Sequence, residues 1–200
     1  MRKTQQRTEV TKRKILKAAK KLFLQHGFAG TAMGRIAEAA EVNHSLLFHH
    51  FGNKEQLWVA VKQFVVEQAN KKQPIVPSTD LAWPEFVEAL LHNSYQFYMS
   101  SNDIRRLINW QRLEKESKRD MKIGHTEEAL EWLNAITHYK DMKSIRSELE
   151  PAFIMTMVVS LTVHVALDPN YFLRDAKSKQ AYFDFCRDSI VVATIKASQK

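Results

Sequence analysis

The sequence has a single cysteine among its 200 residues, and only five glycines and five prolines. One cysteine excludes an internal disulfide framework and a cysteine-rich zinc or iron–sulfur site. No window reaches the ~18 uninterrupted apolar residues of a membrane-spanning helix. The N-terminus is basic from Arg2 to Lys21, and it lacks the apolar stretch of roughly 7–15 residues that follows the charged start of a secretory signal. We therefore expect a soluble cytoplasmic protein in which Cys186 is a buried thiol.

Positive charge is concentrated in the first quarter of the chain. Residues 1–54 hold eleven Lys and Arg against three acidic residues, a net charge of +8, whereas residues 55–200 hold nineteen of each sign. This asymmetry predicts one module that faces a polyanion, attached to a neutral body. The candidate polyanions are a nucleic acid and an anionic membrane surface. We accordingly predict a domain of residues 1–54 and a second domain of residues 55–200.

The spacing of apolar residues predicts an all-helical protein. They recur at i, i+3, i+4 and i+7, and the alternation typical of strands is almost absent. The first helix is predicted from about Thr8 to His26, and it ends at Gly27, which adopts a left-handed conformation without strain. Thr31 is a candidate cap for a short second helix. A linker is predicted at Gln73–Asp80, where two prolines stop a helix.

Two further helices complete the basic module. Asn43 is a candidate cap for the third helix, whose apolar positions Leu47, Phe48 and Phe51 are predicted to face inward. Asn53 opens a longer fourth helix. Two short helices joined by a tight turn form a helix-turn-helix unit.

The run GFAGTAMGRIAEAAEVNHSLLFHHFGNKEQL, Gly27–Leu57, closely resembles the DNA-binding domain of the tetracycline-repressor-like (TetR) transcriptional regulators. Their pattern has Gly-Phe, Thr, Ile-Ala-x-x-Ala, Val, Leu-Tyr-x-His-Phe and a Lys-Glu pair in that order, and the resemblance covers about residues 8–70. It implies an N-terminal three-helix helix-turn-helix domain, joined by a long helix to a helical regulatory and dimerisation domain.

The resemblance also implies a function. It indicates a homodimeric regulator of the bacterial cytosol or nucleoid, most often a repressor, that binds a near-palindromic double-stranded operator and responds to a small effector. It implies no cofactor. The fourth helix, residues 54–72, is the expected mechanical connection, because it is predicted to be the only one that packs on the DNA-binding core and continues toward the body.

Several residues depart from the family pattern. Glu41 stands in the turn where the family usually has glycine, and a β-carbon there costs roughly 1–2 kcal/mol if the left-handed conformation is kept. Ala32, Leu46 and Phe48 replace residues that commonly carry a hydroxyl. Three groups that commonly bind DNA phosphates are therefore missing.

A recognition helix presents its first turns to the major groove. The expected base contacts are Asn43, His44, Ser45 and His49, with Asn43 serving either as a base reader or only as an N-cap. Phosphate contacts position the protein without reading sequence. The candidates for this role are Thr31, Arg35, Lys54, the arm residues Arg2, Lys3 and Arg7, and, from the resemblance, His50.

The end of the chain suggests a dimer. Pro151–Leu167 carries no formal charge and is apolar on every side, so this helix must be covered all round. Ser178–Lys196 has two apolar stripes, and the resemblance assigns the last two helices to a four-helix dimer interface. The candidate interface residues are Val158, Leu161, Val165, Phe183, Ile190 and Val191.

Aromatic and sulfur-containing residues of the body either line an effector cavity or fill the core. They are Trp83, Tyr95, Met99, Trp110, Trp132, Met155 and His164. The histidines lack metal-ligand spacing, and no local signature of catalysis is present, so we expect neither a metal site nor an enzyme. The alternatives are a constitutive DNA-binding protein without an effector and a basic protein that binds a membrane surface.

Overall fold

The computed structural model describes residues 2–70, 74–113, 127–170 and 173–195. These residues form nine α-helices and no strand, which confirms the all-helical prediction. The helices are α1 (Arg2–His26), α2 (Met33–Ala39), α3 (His44–Phe51), α4 (Lys54–Asn70), α5 (Trp83–Met99), α6 (Asn102–Leu113), α7 (Glu127–Asp141), α8 (Pro151–Leu167) and α9 (Ala176–Thr194).

The chain divides into two compact units. Unit 1 comprises residues 1–69 and 102–121, and unit 2 comprises residues 70–101 and 122–200. Unit 1 is discontinuous in sequence, since it holds α1 to α4 together with α6. This packing division differs from the predicted domains 1–54 and 55–200, which remain a prediction about function.

Helix α1 is longer than its apolar pattern indicates. It begins at Arg2 rather than near Thr8, so the predicted N-terminal arm is helical in backbone. It ends at His26 as predicted: Gly27 has φ +73°, and its amide donates to the Phe23 carbonyl at 2.9 Å. The side chains of Arg2 and Lys3 lie outside the described residues.

The core of unit 1 is formed where α1 meets the next three helices. Phe23 is fully buried, and its ring meets the Trp58 ring edge to face at 5.0 Å between centroids. Aromatic pairs in this arrangement are favourable beyond the area they bury. The other fully buried side chains of these four helices are Ile15, Ala19, Ile36, Leu47, Leu57 and Val61, and Ala40, the C-cap of α2, is also fully buried.

Helix α6 closes the end of α1. Arg106 Nε and Trp110 Nε1 each donate a hydrogen bond to the Leu24 carbonyl at 3.1 Å. That carbonyl is one of the last four in α1, which have no partner within the helix. Lys20 Nζ also lies 2.7 Å from Asp103 Oδ2. The expectation that the fourth helix alone packs on the DNA-binding core is therefore wrong.

The predicted capping role of Thr31 is also wrong. The N-cap of α2 is Ala32, which makes no side-chain capping bond. Thr31 is only 1% exposed, and its hydroxyl donates to the Gly27 carbonyl at 2.7 Å. The side chain therefore ties the end of α1 to the start of α2 from the inside.

Unit 2 is built around α5, which packs against α8 and α9. Two buried polar contacts join these helices: Trp83 Nε1 donates to Thr194 Oγ1 at 2.8 Å, and Ser94 Oγ lies 2.9 Å from Thr162 Oγ1. Buried polar groups need such partners to offset the loss of water. The remaining core residues of unit 2 include Phe86, Val87, Leu90, Leu91, Trp132, Ile136, Tyr139, Ile145, Ile154, Val158, Cys186 and Ile190.

Helix α8 buries one face in the single chain. Ile154, Val158 and Val163 lie in or beside the core, whereas Phe153 is 64% exposed and Met157 39% exposed. The helix is apolar on both faces, so its outer face remains available for a second partner. No helix in the described part of the chain has the length and apolar content to cross a membrane.

The turn between α2 and α3 keeps the left-handed conformation that the family pattern places there. Glu41 has φ +49°. The amides of Glu41 and Val42 donate to the carbonyls of Glu38 and Ala37 at 2.9 and 3.0 Å, which is the Schellman arrangement of a helix end. Lys14 Nζ lies 2.5 Å from the Glu41 carboxylate, and this hydrogen bond lowers the pKa of Glu41.

Substitutions at Glu41 measure the cost of a β-carbon in this turn. Glu41→Gly and Glu41→Gln both remove the ion pair with Lys14. The difference between their free energies of unfolding therefore isolates the effect of the β-carbon on the left-handed backbone. We expect the glycine variant to be more stable by about 1 kcal/mol, or about 2–4 °C in the thermal unfolding midpoint. Thermal unfolding followed by circular dichroism measures this, and a glutamine variant of equal or greater stability would contradict it.

Candidate nucleic-acid interface

Helix α3 is positioned by a cap and two apolar anchors. Asn43 Oδ1 accepts a hydrogen bond from the Leu46 amide at 2.7 Å, which confirms Asn43 as the N-cap. Leu47 and Phe51, one turn apart, are buried. Asn53 Oδ1 likewise accepts from the Gln56 amide at 2.8 Å and opens α4. The orientation of α3 is therefore set at both of its ends.

The outward face of α3 carries the predicted base readers. His44, Ser45 and His49 are all exposed. His44 and Ser45 occupy the first turn, and His49 lies one turn after Ser45. A face of this kind offers hydrogen-bond donors and acceptors to base edges in a major groove.

Phe48 lies on the same face, contrary to the sequence prediction. It is 39% exposed, and its ring centroid is 4.7 Å from that of His44. Successive helical residues project about 100° apart, so burying Leu47 and Phe51 turns Phe48 toward solvent. The helical phase of Leu47 and Phe51 was the signal that distinguishes it from a core residue.

An open groove of about 440 Å³ runs beside α3, between α1 and α4. It is lined by Lys12, Phe48, His49, His50, Phe51, Gly52, Gln56 and Ala60. Burial lowers the pKa of His50 below its ordinary value, and the charges of His49 and Lys12 lower it further, with Glu9 opposing them. The lowered pKa favours the neutral form of the His50 ring, which offers one N–H donor.

The predicted phosphate contacts fall into three groups. Lys54 is half-buried, and its ammonium lies 4.4 Å from the centroid of the Phe28 ring, a cation–π contact that holds the charge near the start of α4. Arg35 and Arg7 are exposed. The Thr31 hydroxyl is buried and engaged with Gly27, so the geometry of its side chain does not support a phosphate contact.

The predicted effector residues are not brought together as one set. Trp110 belongs to unit 1 and bonds to Leu24. The other six lie in unit 2: Trp83, Tyr95 and Trp132 are buried, Met99 and Met155 are half-buried, and His164 is exposed. His164 Nδ1 lies 2.9 Å from the Ser160 carbonyl. Trp110 is therefore removed from the set of candidate effector residues.

The predicted dimer residues divide by burial. Val158 and Ile190 are fully buried and are core residues of unit 2, because α5 covers this side of α8 and α9. Leu161, Val165, Phe183 and Val191 are half-buried. The exposed apolar residues of these two helices are others, which the sequence analysis did not select: Phe153, Met157, Phe185 and Val192.

Comparison with known proteins places this geometry in context. Residues 15–61 match the family model of bacterial regulatory proteins, tetR family. Over 106 residues, 53% of this chain and 52% of the relative, the chain is 29% identical to the HTH-type transcriptional repressor SCO4008 of Streptomyces coelicolor. Over 80 residues, 40% of this chain and 37% of the relative, it is 34% identical to the HTH-type transcriptional repressor NicS of Pseudomonas putida. The alignments thus span about half of these curated relatives or less.

Solved structures share the fold over most of the chain. A tetR family transcription regulator from Shewanella sp. PV-4, described as putative, superposes with a TM-score of 0.67 at 21% identity, covering 90% of this chain and 97% of that one. BioQ, crystallised with its double-stranded DNA operator, superposes with a TM-score of 0.57 at 20% identity, covering 89% and 96%. At these identities the likeness shows the fold alone.

Proposed function

The chain belongs, through residues 15–61, to the tetR family of bacterial regulatory proteins, and from this premise we propose that it is a homodimeric repressor that binds a near-palindromic DNA operator. The observation that carries the proposal is the outward face of α3. His44, Ser45 and His49 are exposed there, while Leu47 and Phe51 anchor the helix from behind. Base-edge readout requires such an exposed polar face on a helix that is rigidly held.

Electrostatics support the same function. The net charge of +8 lies in residues 1–54, and Lys12 lines the groove beside α3. Lys54 lies near the N-terminus of α4, where a helix also favours an anion. We propose that Lys12, Lys54, His50 and the exposed Arg7 and Arg35 contact phosphates, with Arg2 and Lys3 as further candidates. The repressors SCO4008 and NicS support a repressor rather than an activator.

The proposal predicts steeply salt-dependent binding to DNA from upstream of the protein's own gene. If a dimer neutralises about six phosphates, the logarithm of the affinity falls with the logarithm of salt concentration with a slope of about −5. Lys54→Ala should make the slope less steep by about 2, because a dimer loses two contacts. Fluorescence anisotropy of a labelled fragment measures both slopes.

Arg174→Ala is the matched control for this experiment, since it removes an exposed cation from unit 2. It should leave the slope unchanged. A wild-type slope of zero would contradict the proposal, as would an equal change of slope in the two variants. Co-sedimentation with anionic liposomes at the same salt concentrations tests the membrane-surface alternative.

Two-fold symmetry is the second part of the proposal. Phe153 and Met157 lie one turn apart on the outer face of α8, and Phe185 and Val192 are exposed on α9, where Phe185 is 70% exposed. Exposed apolar side chains on two helices next to one another in the sequence suit a self-complementary interface, as a two-fold dimer requires. A symmetric dimer in turn presents two recognition helices to two half-sites.

Charged substitutions on this outer face should dissociate the dimer. We expect a dimer mass by light scattering for the wild type, and a monomer for Phe185→Asp or Met157→Asp, because each buries a charge at the interface without a partner. Leu130→Asp, on the exposed side of α7, is the matched control and should remain dimeric. A monomeric wild type, or a Phe185→Asp variant that remains dimeric, would contradict the proposed dimer interface.

Release by an effector is the third part. We propose a small apolar or aromatic effector that contacts unit 2 near Trp83, Tyr95, Met99, Trp132, Met155 or His164. For each tenfold loss of DNA affinity, the effector must bind the DNA-released conformation more tightly than the DNA-bound one by about 1.4 kcal/mol. If these residues only fill the core, the protein is a constitutive DNA-binding protein.

A thermal-shift screen of hydrophobic small molecules, followed by DNA-release assays, should find compounds that raise the unfolding temperature and release the operator. Tryptophan fluorescence is not selective for unit 2, since Trp83 and Trp132 lie in unit 2 but Trp58 and Trp110 lie in unit 1. If every stabilising compound leaves the operator bound, the constitutive alternative is the better one.

A further inference from the structure

Phe48 is an exposed aromatic residue on an otherwise polar face. Its side chain is 39% exposed, beside the exposed His44, Ser45 and His49. The core does not need it, because Leu47 and Phe51 already anchor α3. A large apolar side chain on this otherwise polar face gains free energy when a partner covers it.

The chemistry of the Phe48 side chain limits which chemical groups can cover it. Phenylalanine has no hydrogen-bonding group, so Phe48 makes no conventional hydrogen bond to a phosphate, a sugar hydroxyl or the polar edge of a base. Among the groups that the four bases present in the major groove, the C5-methyl of thymine is the apolar one. The basic surroundings of α3, with Lys12 in the adjoining groove and the +8 charge of residues 1–54, favour DNA over an apolar protein partner.

His44 restricts the position of the Phe48 ring. The two ring centroids are 4.7 Å apart, one helical turn along the same face. Aromatic rings at this distance pack against each other, so the position of the Phe48 ring depends on His44, one of the predicted base readers. The Phe48 ring in this contact presents an apolar surface beside the hydrogen-bonding groups of His44.

We propose that Phe48 is a specificity-determining residue that reads the C5-methyl of a thymine in each half-site, next to the base pair that His44 reads. This inference rests on the proposed DNA-binding function, and it identifies one base of each operator half-site as thymine. Burying one methyl group against the ring corresponds to about fourfold in affinity for each half-site, or on the order of fifteenfold for a symmetric operator.

Deoxyuridine substitution tests the proposal, because it removes the methyl group and leaves base pairing and every hydrogen-bonding group in place. Once the protected operator is known, each symmetric pair of thymines is replaced by deoxyuridine, and affinity is measured by anisotropy. We expect one pair whose replacement weakens wild-type binding by about fifteenfold. Phe48→Ala should bind the thymine operator correspondingly less tightly and be insensitive to deoxyuridine at that pair.

Three further variants separate methyl readout from general damage. Phe48→Leu keeps an apolar side chain and should retain part of the preference for thymine, which a purely structural role does not predict. Lys54→Ala should weaken binding to all operators equally and keep the full effect of the methyl group. Arg174→Ala changes an exposed residue of unit 2 and should also keep the full effect of the methyl group. Circular dichroism confirms that each variant is folded.

The outcomes distinguish the inference from the function on which it rests. If the wild type binds its operator but no thymine pair is sensitive to deoxyuridine, or if Phe48→Ala keeps the wild-type sensitivity, Phe48 does not read thymine and the DNA-binding function stands. If the wild type binds no DNA specifically, the proposed DNA-binding function itself is wrong, and the inference about Phe48 falls with it.

Discussion

Leu47 and Phe51 hold α3 against the core of unit 1, and the whole candidate interface depends on this contact. A helix of eight residues is too short to be stable on its own in water, because the cost of nucleation is spread over few hydrogen bonds. Burial of the two anchors supplies the missing stability, and the Asn43 cap satisfies one amide of the first turn. Once these two positions are inward, the helical repeat determines that His44, Ser45, Phe48 and His49 face outward.

The core of unit 1, which supports α3, also includes helix α6 from outside the N-terminal segment. Ile104 and Leu107 are buried, and two side-chain donors meet at the carbonyl of Leu24 near the end of α1. The unit that presents α3 is therefore completed by residues about fifty positions later in the chain. Helix α6 therefore contacts α1 directly, and α4 is not alone in packing on the core of unit 1.

Unit 2 shows how packing selects among residues that the sequence makes equivalent. The run Pro151–Leu167 is apolar on every side, so its composition indicates two partners but not which side each partner covers. Helices α5 and α7 pack on one side of α8, where Val158 is buried, and leave Phe153 and Met157 exposed. The same selection makes Ile190 a core residue and leaves Phe185 exposed. The interface residues chosen from the sequence were consequently a mixture of fully buried and half-buried residues.

The sequence by itself determined the features that depend on short-range contacts: the all-helical class, the end of α1 at Gly27 and the caps at Asn43 and Asn53, together with the location of the charge. Each depends on atoms within about five residues, so the local pattern carries the information. Tertiary structure decided the exposure of Phe48, the inward bond of Thr31, the membership of Trp110 in unit 1 and the burial of Val158. Each of these depends on which distant element covers a side chain, and the apolar periodicity of a single helix does not contain that information.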